Sequence, residues 1–168
     1  MRILGIDPGL NICGYAVVDD DSGEGLIEAG TFRTSPSAAM ETRLNQIAQD
    51  LTSLIERLKP EIVAVEQLYS HYAHPRTSIL MGHARGVILQ KAAEAGLKVK
   101  SYSATRIKKA ITGHGRASKM QMQLAIQSIL QLPTLPEPPD VADAISAAMC
   151  CKMDLNDVYT SLTCRDEK

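Results

Sequence analysis

The chain has 168 residues, 45% of them hydrophobic and 22% charged, with a net charge of −1. That is enough apolar material for one globular core, but no apolar run approaches the roughly 20 residues of a membrane-spanning helix, and the near-neutral total does not advertise a nucleic-acid binder. The opening Met1-Arg2-Ile3-Leu4-Gly5-Ile6-Asp7 is too short an apolar stretch for a secretion signal, and Cys13, Cys150, Cys151 and Cys164 lack C-x-x-C spacing, so a cytoplasmic chain with reduced thiols is expected.

Residues 2–7 read as a first strand and 12–18 as a second. Asp19 to Gly25 form a turn cluster, and 26–34 a third strand, which together predict an antiparallel meander. Ser35-Pro36 is a helix start with proline at the first helical position. Met40, Leu44, Ile47, Leu51, Leu54, Ile55 and Leu58 keep helical spacing up to Pro60. Residues 61–66 make a fourth strand, 67–76 a polar and aromatic loop, and 77–95 a second helix closed by Gly96. That helix has little polar face, because Ile79, Leu80, Met81, Val87, Ile88 and Leu89 are joined only by small Gly82, Ala84 and Gly86. Such a helix is expected to be covered on more than one side, by a neighbouring helix or by a second subunit, with His83 interior or at an interface.

Residues 97–102 predict a fifth strand and 103–112 a short helix, broken by Gly113-His114-Gly115. Ser118-Lys119-Met120-Gln121 has capping-box spacing and opens a helix to about Leu132. From Ala95 to Pro136 there is no acid, yet Lys98, Lys100, Arg106, Lys108, Lys109, Arg116 and Lys119 all fall there. The rest of the chain is acidic in balance, so this segment is a candidate polyanion contact, although a solvated basic surface explains the charge alone. A proline-rich linker, 133–139, leads to a last helix over 140–152. The order βββαβαβ followed by helices predicts an α/β protein, a five-stranded mixed sheet flanked by helices, in the order of the ribonuclease H-like fold. One domain is expected over 1–153, with a polar tail over 154–168.

Four acids stand at element ends. Asp7 closes the first strand and Glu66 the fourth, while Asp140 and Asp143 open the last helix. Each has an ordinary role available: turn former, first solvated residue, helix cap. Their combination predicts more. The first and fourth strands should be neighbours, and an i, i+3 pair shares one helix face. Four converging carboxylates would repel one another without a cation, and hard oxygen donors with no Cys or His suit Mg²⁺ or Mn²⁺.

Asp7-Pro8-Gly9 with Gly14-Tyr15, Glu66-Gln67, Gly82-x-Ala84-Arg85-Gly86, Lys108 with Gly113-x-Gly115-x-Ala117-x-Lys119, and Asp140-x-x-Asp143-Ala144 follow one another as in the RuvC family, which the chain resembles over roughly 1–152. The resemblance implies a ribonuclease H-like homodimer that requires a divalent metal and nicks two strands of a four-way DNA junction symmetrically, in recombination and repair. It implies that Asp7, Glu66, Asp140 and Asp143 are the catalytic and metal-holding residues, for Mg²⁺ with Mn²⁺ as a substitute and up to two ions per subunit. It also implies that Tyr69 meets bases near the crossover and that Lys108 and Lys119 meet the DNA backbone. Arg116, in the same basic segment, is expected to join them. The partner implied is a branch-migration motor. Two other readings stand beside it: a ribonuclease H-like nuclease of ribosomal-RNA processing, and a junction-binding protein without catalysis. Gln67-Leu68-Tyr69 and the Asp140-x-x-Asp143 helix after a proline-rich linker speak against the first, and the presence of all four acids against the second.

Overall fold

Side chains of a strand alternate between the two faces of a sheet, and that alternation organises this molecule. The computed structural model describes residues 1–19, 25–68 and 75–163. Its elements are β1 (Arg2–Asp7), β2 (Ile12–Asp19), β3 (Leu26–Arg33), α1 (Met40–Leu58), β4 (Ile62–Glu66), α2 (Pro75–Glu94), β5 (Lys98–Tyr102), α3 (Ala104–Thr112), α4 (Lys119–Ile129) and α5 (Pro139–Thr163). The sheet runs β3-β2-β1-β4-β5. The first three strands are an antiparallel meander, while β4 joins β1 in parallel and β5 joins β4 in parallel. This is the mixed five-stranded sheet expected from the element order.

The sheet carries a core on each face. Leu4, Ile6, Val17 and Val63 meet Ile47, Leu51 and Leu54 of α1 and Ala84, Ile88 and Ala92 of α2. Ile3, Ala16, Val18, Ile62 and Ala64 face Ala144, Ile145, Ala147 and Ala148 of α5, with Ile107 of α3 and Ile126 of α4 beside them. Each fully buried Leu or Ile contributes roughly 1.5–3 kcal/mol by leaving water.

The α5 face is made of small residues, and this lets the helix lie close. A Cβ added to Gly5 would stand 2.1 Å from the Ala144 carbonyl oxygen, and one added to Gly14 would stand 2.0 Å from that of Asp140. Both obstacles are backbone, so neither can swing aside. The closeness brings the start of α5 down onto the ends of β1 and β2.

α2 begins at Pro75, two residues before the expected start, and three boundaries depart further from the sequence reading. α1 begins at Met40 rather than Pro36, because Ser35–Ala38 close a separate turn, the Ala38 amide donating to the Ser35 carbonyl at 3.1 Å. α4 ends at Ile129, not Leu132. α5 continues to Thr163, well past Lys152. Met153 and Leu155 pack against the α5-side core, and Asp154 pairs with Arg106, so the polar composition there conceals a helix with an anchored side. The capping box is present as expected: the Gln121 amide donates to Ser118 Oγ at 3.2 Å, and the Ser118 amide to Gln121 Oε1 at 2.8 Å.

Candidate active site

Parity places the strand acids. Residues 3, 5 and 7 of β1 face α5, as do residues 62, 64 and 66 of β4. β1 and β4 pair through Ile6 and Val65, so Asp7 and Glu66 lie one register step beyond the last pair, side by side at the strand ends. Asp7 itself is paired to Gly14 of β2, the residue on which the Asp140 backbone rests. Asp140 therefore enters the first turn of α5 directly above Asp7, and Asp143 follows one turn on, on the same face. All four candidate acids are partly buried.

Electrostatics report the crowding. Burial pushes the Asp7 carboxyl up from its ordinary 3.8 to about 7, and Asp143, Glu66 and Asp140 add to the rise. Glu66 is raised by burial first and by Asp143 second, with Lys108 and Lys119 pulling the other way. Asp143 is likewise raised by burial, opposed by Lys119 and Lys108 and reinforced by Asp140. The acids are thus close enough to raise one another, and Lys108 and Lys119 of the basic segment act on them as well. Among the described residues, however, no three His, Cys, Asp or Glu side chains are already gathered into a metal-holding set.

Lys108 lies on α3 and Lys119 opens α4, so both stand on the elements that flank α5. The Lys119 ammonium is 4.0 Å from Asp143 Oδ2. Arg116 is exposed on the turn between α3 and α4. Tyr69 lies outside the described residues, as do His71 and His74. His83 is exposed rather than interior, its ring Nδ1 2.8 Å from the Ile79 carbonyl oxygen one turn back. In the single chain α2 covers the sheet with one side only. Ile79, 60% exposed, lines an open groove with Gly82, His83, Gly86, Val87 and Gln90.

Two side chains stand out that the sequence reading left without a role. Arg43 is buried on α1 and donates from Nε to Thr34 Oγ1 at 2.9 Å and from its terminal nitrogen to Asn11 Oδ1. Thr34 Oγ1 donates in turn to the Leu10 carbonyl at 2.5 Å. This chain of contacts pins the Pro8–Asn11 turn that follows Asp7. The other is Arg85, the one cation within an apolar stretch of α2, and that isolation was the available signal.

The family profile described as "Crossover junction endodeoxyribonuclease RuvC" matches residues 3–151. This chain belongs to the RuvC family. A RuvC of Rhodopirellula baltica is 50% identical over 152 residues, covering 88% of this chain and 84% of that protein. A solved structure of Thermus thermophilus RuvC in complex with Holliday junction substrate superposes with a TM-score of 0.83 at 31% identity, covering 92% of this chain and 96% of that one. The yeast mitochondrial Holliday junction resolvase Ydc2 shares the fold alone, with a TM-score of 0.62 at 13% identity. RuvC membership makes the chain an α/β crossover junction endodeoxyribonuclease, a hydrolase of phosphodiester bonds. It carries the family's divalent-metal requirement with it.

Proposed function

We propose that this chain resolves Holliday junctions by hydrolysing one phosphodiester bond in each of two opposed strands, and that Asp7, Glu66, Asp140 and Asp143 form its active site. The observation that supports this most directly is Asp7, a carboxyl raised to about 7 by burial and by three other acids. A purely structural core has no use for that arrangement, which costs stability whenever the acids ionise. Their oxygens suit Mg²⁺, or Mn²⁺ in its place, and a bound cation would draw together carboxylates that now only repel. Up to two ions per subunit fit four acids. Such ions supply an activated water and a stabilised leaving oxygen in phosphodiester hydrolysis.

The chain's own residues do the rest. β1 and β4 hold Asp7 and Glu66 at the ends of two central strands, and α5 delivers Asp140 and Asp143 from above. Lys108 and Lys119 offset part of the acidic charge and so let a phosphate approach. With Arg116 they form the contact to the DNA backbone, and Tyr69 stacks on bases near the crossover. The open groove of α2 pairs with its copy in a homodimer, which presents two equivalent sites to a four-way junction of near-twofold symmetry. No helix among the described residues is long and apolar enough to cross a membrane. The enzyme works in the cytoplasm on DNA held by a branch-migration motor.

The deciding experiment offers four-way, Y-shaped, duplex DNA and RNA substrates with Mg²⁺ to the protein. Paired nicks in the four-way junction are expected. Preferential cutting of RNA would select the RNA-processing reading, and tight junction binding without cleavage would select a non-catalytic one.

A further inference from the structure

Arg85 is half-buried between Ala84 and Gly86 on α2, where the residues that follow, Val87, Ile88 and Leu89, are apolar. Its side chain turns toward the sheet. Nε donates to the Glu66 carbonyl at 3.3 Å, and a terminal nitrogen donates to Ser101 Oγ at 3.0 Å. Both acceptors lie at strand ends, where the ladder is running out. β1 and β4 pair no further than Ile6 and Val65, and β4 and β5 no further than Glu66 and Tyr102. Beyond that, the Gln67 amide still donates to the Tyr102 carbonyl at 2.8 Å, and the Gln67 side chain to the Ser101 carbonyl at 3.4 Å. A backbone carbonyl at such an end needs a donor from outside the sheet. A guanidinium supplies it with a fixed, forked geometry and a charge-assisted bond.

We propose that Arg85 is a positioning residue for Glu66, clamping the backbone of residue 66 so that its carboxylate keeps its place among the four acids. The proposal rests on the reading of Glu66 as a metal-holding residue. It has a structural corollary. Arg85 shares α2 with Ile79, Gly82, His83 and Gly86, which line the open groove on the helix's other side. A single side chain thus joins the surface that awaits a second copy of the chain to the carboxylate cluster. Displacing α2 displaces Glu66, and a misplacement of about 1 Å at a reacting centre costs on the order of 10²-fold in rate.

The test compares Arg85→Met, which keeps an apolar stem but loses both donors, with Arg85→Lys, which keeps the charge and one donor group. Glu66→Gln serves as reference. Thermal unfolding, junction affinity without metal over a range of salt, Mg²⁺ binding by calorimetry, and cleavage are read on each. Arg85→Met is expected to bind junctions with the parent's salt slope, to need several-fold more Mg²⁺ for half-saturation, and to cleave on the order of 10²-fold more slowly. Arg85→Lys should fall between it and the parent. A parent-like Mg²⁺ midpoint in Arg85→Met, measured below its melting temperature, overturns the proposal even if the melting temperature has dropped. A salt slope shallower by about one unit also overturns it, because Arg85 would then be a phosphate contact. If Arg85→Met does not fold, a parent-like Mg²⁺ midpoint in Arg85→Lys overturns it. Glu66→Gln separates the two levels. If it binds Mg²⁺ and cleaves like the parent, the four-acid reading fails. If it is inactive while Arg85→Met behaves as the parent, only the assignment of Arg85 fails.

Discussion

Lys119 Nζ stands 4.0 Å from Asp143 Oδ2, joining the first residue of α4 to the second acid of α5. The lysine side chain is 77% exposed, so the pair contributes little to folding. Its consequence is for charge. Lys119→Ala should leave thermal stability within about 0.5 kcal/mol of the parent. Junction affinity should fall, with the salt slope shallower by about one unit for one lost phosphate contact. A slope identical to the parent's would leave Lys119 as a solvated cation.

Asp143→Asn separates chemistry from structure. Asn keeps the size and one oxygen but loses the charge, and it serves a helix start about as well as Asp. The variant should fold at least as well as the parent at neutral pH, since it removes a buried repulsive charge. It should hold junctions without metal as tightly or more tightly, and cleave very little with Mg²⁺. Cleavage near the parent rate would remove Asp143 from the active site.

The raised carboxyls set a pH dependence whose sign is fixed. Asp7 titrates at about 7 in the folded chain against 3.8 as an ordinary carboxyl. Between those values the folded state holds a proton that the unfolded state has released, so stability falls as pH rises across that window. Glu66 and Asp143 are raised too and act in the same direction. Without metal, Tm measured from about pH 5 to about pH 8 should carry a declining contribution that Asp7→Asn removes. Mg²⁺ should offset the decline, because binding favours the ionised acids. An Asp7→Asn variant with the parent's pH profile would contradict this account.

Gly82 and Gly86 have nothing within 4 Å of an added Cβ in the single chain. Within one subunit, Gly86→Ala should therefore be neutral or stabilising by up to about 1 kcal/mol, from helix propensity alone. Gly86→Leu should still fold, yet it should lower the sedimentation mass and the paired nicking if the groove is the dimer surface. An assembly unchanged by Leu at 86 would move the subunit contact elsewhere.

Gly14→Ala should do the reverse. Its Cβ would meet the Asp140 carbonyl at 2.0 Å, and backbone must shift to admit it. A destabilisation of roughly 1–3 kcal/mol is expected, together with loss of cleavage, because the start of α5 is lifted from Asp7. Parent-like cleavage by Gly14→Ala would show that the site tolerates a looser α5.

Much of this was legible in the sequence where one local rule decided the outcome. The short, mostly β-branched apolar run Ile62–Val65 placed β4 and put Glu66 at its end, and Ser118 with Gln121 announced the capping box that starts α4. The start of α1 was misread because Ser35-Pro36 satisfies the same preferences in a lone turn as at a helix start. The length of α5 was misread because Asp154 and its polar neighbours find partners only in three dimensions, Arg106 among them. The four acids could be picked out by their positions at element ends. Their convergence depends on Gly5 and Gly14, whose missing side chains carry no pattern of their own. Arg85 was visible as the one Lys or Arg between Thr77 and Gln90 of α2, but its acceptors are a backbone carbonyl and a serine 16 residues away, which no spacing rule connects.

The dependence of the site on α5 also gives the protein a history during its own synthesis. A growing chain has made Asp7 early and Glu66 by mid-length, and β1 can pair with β2 long before the ribosome reaches residue 140. Until α5 emerges, Gly5 and Gly14 face no helix, the central strands lack one of their two covers, and half of the acids do not yet exist. A nascent or truncated product therefore carries basic α3 and α4 without two of the four proposed site acids. If Asp140 and Asp143 serve as proposed, the capacity to break DNA arrives last, together with the helix that completes the core, so folding and activity become available in the same step.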